Sequence, residues 1–149
     1  MERNKLGMSI KRGFTLIEIM IAVAILMVLI SLSIPNILRS RSVANEGVAV
    51  ANLKTISDAC QLYHSNRGVF PETLVELALP DSNPPYIDQL LASGSKQGYG
   101  FIYALNGLGF TVNANPTGIL GGRYYYVDET SAVHVREKKE AGPNDPVFQ

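Results

Sequence analysis

Cys60 and His64 stand four residues apart in a chain of 149. On a helix that spacing sets thiol and imidazole on one face, the geometry of a metal-ligand pair or of a nucleophile with its base. Neither set is completed, because the only other histidine is His134 and there is no second cysteine; core packing is the expectation. A single cysteine also excludes an intrachain disulfide, so packing must hold the fold. Asp128 and Glu129 adjoin Thr130 and Ser131 in a run that reads as a tight turn, where such residues serve the backbone. Paired-carboxylate catalysis is therefore not expected. G-x-S-x-G, H-E-x-x-H and C-x-x-C are absent, and residues 94–100 lack the P-loop spacing and read as the start of a strand. The expectation is a protein that is not an enzyme and holds no cofactor or metal.

Glu18 is the acid that demands an explanation. It is the one charge in residues 14–34, FTLIEIMIAVAILMVLISLSI. A helix over these 21 residues measures about 31 Å, close to the roughly 30 Å hydrocarbon core of a bilayer. A carboxylate inside such a span costs on the order of 2.5–3.5 kcal/mol and marks a pairing that serves function. The first 13 residues carry Arg3, Lys5, Lys11 and Arg12 against Glu2, a net +3, leaving −3 for the remainder of a chain whose total is zero. That asymmetry keeps the N-terminus in the cytoplasm and sends the rest outward. No A-x-A-like site follows the apolar run, so the run stays with the mature protein. No basic block suited to phosphate backbones follows either, and general nucleic-acid binding is not expected.

The junction Lys11-Arg12-Gly13-Phe14-Thr15-Leu16-Ile17-Glu18 resembles the prepilin signal of type IV pilins and of the pseudopilins of type II secretion. The resemblance implies cleavage between Gly13 and Phe14 by an aspartic prepilin peptidase, N-methylation of Phe14, and loss of the leader. Glu18 becomes the fifth mature residue, four from the new amine. A contact within one helix and a contact with the Phe14 amine of a neighbour are both open on spacing; the resemblance favours the neighbour, with Glu18 setting register. Pro35 removes a hydrogen bond to the Ser31 carbonyl and disfavours helix at Ile34. It reads equally as a membrane-exit boundary or, as in similar filament subunits, as a kink where the helix bends on assembly.

Beyond Pro35, apolar Ile37, Ala44, Val48, Ala51, Ile56, Ala59 and Tyr63 recur mostly at three or four residues, between Arg39, Arg41, Glu46, Asn52 and Asp58. The spacing predicts an amphipathic helix to about residue 64, ended by Asn66 or Gly68. Short helical turns follow at residues 72–79 and 87–91, then strands at 99–105, 110–114, 123–127 and 132–135. The hairpins fall at Asn106-Gly107 and at residues 128–131. In Tyr124-Tyr125-Tyr126 strand alternation predicts core plus surface tyrosine rather than a binding patch. The fold class is α+β and pilin-like, a long N-terminal helix packed on an antiparallel sheet of about four strands. Its parts are leader 1–13, transmembrane and filament-core helix 14–34, amphipathic continuation 35–66, head 67–136 and an irregular tail 137–149.

The Phe70-Pro71 loop, the GYxFxY-like stretch at residues 98–103 and the strand-Asp-turn-strand over 124–135 are also similar to pilin and pseudopilin heads. Some major pseudopilins bind calcium in a C-terminal loop; Asp128, Glu129 and Asp145 offer oxygens here, but their spacing matches no loop, so absence is expected. The implied function is a structural subunit of a type IV pilus-like filament, with a type II secretion pseudopilin favoured over a surface pilin for adhesion, motility or DNA uptake. A signal-anchored binding protein without a filament is the rival. The implied partners are copies of itself, related minor subunits, the prepilin peptidase, an inner-membrane assembly platform with its ATPase, and membrane lipid before assembly. Localisation follows: a single-pass inner-membrane protein, its head periplasmic or extracellular, and a filament after assembly.

Overall fold

The computed structural model describes residues 13–107, 109–118 and 122–148. The expected leader, apart from Gly13, lies outside the described residues. Internal contacts divide the chain into two compact units between Ile37 and Leu38. The boundary falls inside helix α1 (Leu16–Arg67), which contains Pro35.

In the first unit α1 begins with a reciprocal cap. Thr15 precedes the helix, its hydroxyl accepts from the Glu18 amide at 3.3 Å, and the Glu18 carboxylate accepts from the Thr15 amide at 2.8 Å. This T-x-x-E arrangement is a capping box, which ties up donors that a helix start leaves without partners. Farther along, Ser31 donates to the Val28 carbonyl at 2.8 Å and Ser33 to the Leu29 carbonyl at 2.9 Å. Polar groups in the apolar run are thus turned onto their own helix. Every described residue from Gly13 to Ile37 is exposed.

The second unit is an α+β head. On α1 the buried stripe is Ala49, Leu53, Ile56, Cys60 and Tyr63, spaced at three and four. Ala44 and Ala51, assigned to the apolar face from sequence, are exposed, and Val48 is only half-buried. Alanine's small side chain carries little information about facing. Gly68 ends the helix with φ +76°, and its amide donates to the His64 carbonyl at 2.7 Å.

Between helix and sheet the chain makes a 3₁₀ turn (Leu74–Leu77) and one turn of helix, α2 (Gln89–Ala92). Both are shorter than the sequence suggests. Asp88 caps α2 by accepting from the Leu91 amide at 2.9 Å and pairs with Lys96 at 2.6 Å. These donors hold its carboxyl below the usual range, the Lys96 ammonium first and the Leu91 amide next.

The sheet is an antiparallel meander of five strands in chain order: β1 (Ser95–Lys96), β2 (Tyr99–Asn106), β3 (Gly109–Pro116), β4 (Tyr124–Asp128) and β5 (His134–Arg136). Strand β1 is the addition to the four expected. Its turn places Gln97 at φ 49° and Gly98 at φ 78°, the left-handed pair that matches hairpin twist. Asn106 pairs with Gly109, so Asn106 belongs to the strand and not to the turn of the next hairpin, which begins one position later than the Asn-Gly reading. Core residues of the helix, Leu53, Ile56 and Cys60, cluster with Phe101, Phe110, Val112, Tyr125 and Val127 of the sheet.

The tail after β5 has no regular element, yet it is tied down. Val147 bridges to His134, the Val135 amide donates to the Pro146 carbonyl at 2.9 Å, and the Phe148 amide to the Val133 carbonyl at 2.7 Å. Arg136 pairs with Asp145 at 2.7 Å, Asn115 donates to Glu140 at 2.7 Å, and Ala141 is buried. Residues 146–148 therefore extend the sheet beyond β5.

Candidate functional site

Gly13 and Phe14 precede the helix and stand exposed, Phe14 at 84%. A Cβ at Gly13 would meet nothing within 4 Å, so packing in this chain does not explain the glycine there. Both positions are open to an enzyme acting on the bond between them. Glu18 is one turn on, and its Oε2 accepts at 2.8 Å from both the amide and the hydroxyl of Thr15. Two donors at that distance offset part of the cost of a carboxylate in hydrocarbon. Thr15 is a partner not expected from the sequence, although the T-x-x-E spacing is readable and gives the acid a place to rest without any cation.

Past Glu18 runs a helix that is apolar and bare. Its most apolar window is long enough to cross a membrane, with a mean hydropathy of 2.7 and no residue buried. Such a surface exposed to water would be strongly unfavourable, at about 25 cal/mol per Å². It requires lipid or other apolar helices around it. Pro35 sits within this helix, and α1 continues through it.

The other candidates are placed in the head. Cys60 is fully buried, and burial pushes its thiol up to about 12, the wrong direction for a nucleophile or a ligand. His64 stacks on Phe70 at 4.4 Å instead of serving the thiol. Asp128 accepts from the amide and hydroxyl of Thr130 at 3.0 and 2.5 Å, as a turn residue should. Asp145 takes Arg136 on one oxygen and the Gly142 amide at 2.8 Å on the other. Both oxygens of Asp145 are thus taken, as is Oδ1 of Asp128, which disfavours a calcium set of these two with Glu129. Among the described residues no group of three or more His, Cys, Asp or Glu side chains is placed to hold a metal ion. Tyr125 and Tyr126 are both buried and Tyr124 half-buried, so the tyrosine run offers no open aromatic patch.

A cleft of the head, about 600 Å³, is lined by Tyr63, His64, Phe70, Glu72, Glu76 and Leu105 among others. Its central carboxylate is engaged on both oxygens: Tyr63 donates to Glu76 Oε2 at 2.8 Å and the Glu72 amide to Oε1 at 3.1 Å. No general base is left there by Glu76. A second engaged acid is Glu46, which accepts from Arg123 Nε at 2.9 Å and Tyr125 Oη at 3.3 Å. The hydrogen bond to Glu46 raises the Arg123 pKa, and burial pushes the Tyr125 phenol up to about 12. No sequence signal could have found this cluster, because its members are 77 and 79 residues apart.

The head thus carries engaged acids, while the segment from Gly13 onward carries an open junction, a capped acid and a bare apolar helix. Residues 8–34 match the family model described as the prokaryotic N-terminal methylation motif. The chain is 31% identical over 99 residues to the type IV wide pilus major component PilA4 of Thermus thermophilus, covering 64% of this chain and 75% of that protein. The chain belongs to the type IV pilin and pseudopilin family. It is also 34% identical over 92 residues to the type II secretion system core protein G of Escherichia coli, covering 60% of this chain and 61% of the relative. The corresponding protein of Vibrio cholerae is 35% identical over 75 residues, covering 48% and 51%. The match to these two spans about half to three fifths of their length. No solved structure matches the chain. The long N-terminal helix and antiparallel sheet are the pilin-like layout that the sequence analysis expected.

Proposed function

We propose that the chain is the precursor of a structural subunit of a type IV pilus-like filament, a pseudopilin of type II secretion. The observation that carries the reading is the bare apolar stretch of α1, whose one acid, Glu18, is partnered among the described residues only by Thr15 of its own helix start. A stretch of this kind must be covered by lipid in the stored subunit and by like helices in a polymer, where heterologous contacts repeat without closing. Inserted in the inner membrane with residues 1–13 in the cytoplasm, the precursor is cut between Gly13 and Phe14 by a prepilin peptidase, which methylates the Phe14 amine. An assembly platform with an ATPase then moves it into a filament whose core is the bundled helices of residues 14–64, alongside related minor subunits. There Glu18 accepts the Phe14 amine of a neighbour and sets register, exchanging neutral donors for a charged one. Pro35, which leaves the Ser31 carbonyl without an amide partner, is the place where the helix bends or unwinds on assembly.

Mass spectrometry of the assembled protein tests the processing step. The expected N-terminus is Phe14 carrying one added methyl, and a retained leader in assembled protein would overturn the reading. The relative named as a wide-pilus component favours a surface pilus as the second reading. Protease shaving of intact cells separates the two, since a surface pilus is digested and a periplasmic pseudopilus is protected.

A further inference from the structure

We propose that Arg39 and Arg41 form a site for anionic phospholipid headgroups at the outer face of the membrane; the inference rests on the membrane-stored precursor just described. Both side chains are exposed on α1. Residues 19–45 contain no aspartate or glutamate, so on the membrane side neither arginine has an acid on α1 before Glu18. The next acid, Glu46, is already held by Arg123 and Tyr125, and among the described residues neither arginine enters an ion pair.

Position then selects the anion. Residues 14–38 in helical geometry measure about 37 Å, slightly more than a hydrocarbon core of roughly 30 Å, so the arginines follow where headgroups begin. An arginine at such a boundary can lay its alkyl stem along apolar surface while the guanidinium reaches outward, and its planar fork matches phosphate oxygens two at a time. Two residues apart on a helix the pair points about 200° apart, which suits two lipids on opposite sides better than one ligand between them. Loss of residues 1–13 would remove Arg3, Lys5, Lys11 and Arg12, leaving Arg39 and Arg41 as the side-chain cations nearest the span. Anionic lipid would then hold the processed subunit in place until assembly draws it out.

The test uses the full chain reconstituted in bilayers of equal phosphatidylglycerol and phosphatidylcholine, released into the gas phase, with retained lipid identified by native mass spectrometry. The wild type is expected to retain phosphatidylglycerol preferentially, by roughly fivefold for each arginine, from ~1 kcal/mol per basic residue at an anionic surface. Arg39→Gln with Arg41→Gln should cut the preference to what the leader cations Arg3, Lys5, Lys11 and Arg12 sustain, and Arg39→Lys with Arg41→Lys should keep part of the difference. An unchanged preference in the glutamine variant would overturn the site. Equal retention of both lipids by the wild type would overturn the site while leaving the filament reading, tested by N-terminal processing, untouched. Retention of a second copy in place of lipid, lost in the glutamine variant, would assign the arginines to a subunit contact and overturn it too. A wild-type chain that fails to partition into bilayers at all would overturn both readings.

Discussion

Glu18 and Glu46 are acids on the same helix, and their surroundings differ in kind. Glu18 has a local partner three residues away and a bare apolar surface beyond it. Glu46 has distant partners, Arg123 and Tyr125, brought to it by the sheet. The first half of α1 has no buried residue, while the second buries Ala49, Leu53, Ile56, Cys60 and Tyr63. One half is complete only in the company of other molecules; the other is completed by its own chain. An acid's role is therefore read from whether its partners are already present, not from its charge.

The contrast is most easily broken at Glu18. Glu18→Ala is expected to abolish filament recovery from the sheared cell fraction while leaving the melting temperature of the head unchanged. Normal assembly and function would instead favour a membrane-anchored binding protein that forms no filament. The next largest effect lies in the core, where Leu53→Ala should destabilise the head by about 3 kcal/mol in denaturant unfolding, since Leu53 is fully buried. Insertion of the span should be indifferent to that change.

Smaller effects sharpen the comparison. Glu46→Gln keeps the shape but removes the charge opposite Arg123, and about 1–2 kcal/mol of stability should go with it, read from the shift of the denaturant midpoint. Smallest is Asp88→Asn. The Asp88 carboxyl titrates below its ordinary value because of Lys96 and the Leu91 amide. Its contribution is present above the unfolded-state pKa and disappears as pH falls through the lower folded value. The pair is half exposed, so the loss at neutral pH should be under about 1 kcal/mol, and the acid limb of the stability profile should flatten below about pH 4.

Legibility followed the same division. The long helix, its end near Gly68 and four strands were readable because each rests on periodicity or turn chemistry within a few residues. Strand β1 was not, since two residues have no period; its evidence is the left-handed Gln97-Gly98 turn. The hairpin register slipped by one because Asn106 pairs with Gly109. The tail read as irregular because Arg136–Asp145, Asn115–Glu140 and the Phe148 contact with Tyr125 are decided by the packed sheet.

What the sequence determined by itself is the N-terminal segment: the Gly13-Phe14 junction, the acid at Glu18 and the apolar run depend on order along the chain, where each residue's neighbours are three or four positions away. Tertiary structure alone decided the fate of the head's acids, cysteine and tail. Partners 77 and 79 residues from Glu46, and the burial that silences Cys60, exist only once the sheet has closed over the helix, because hydrogen bonding and desolvation act through space rather than along the chain.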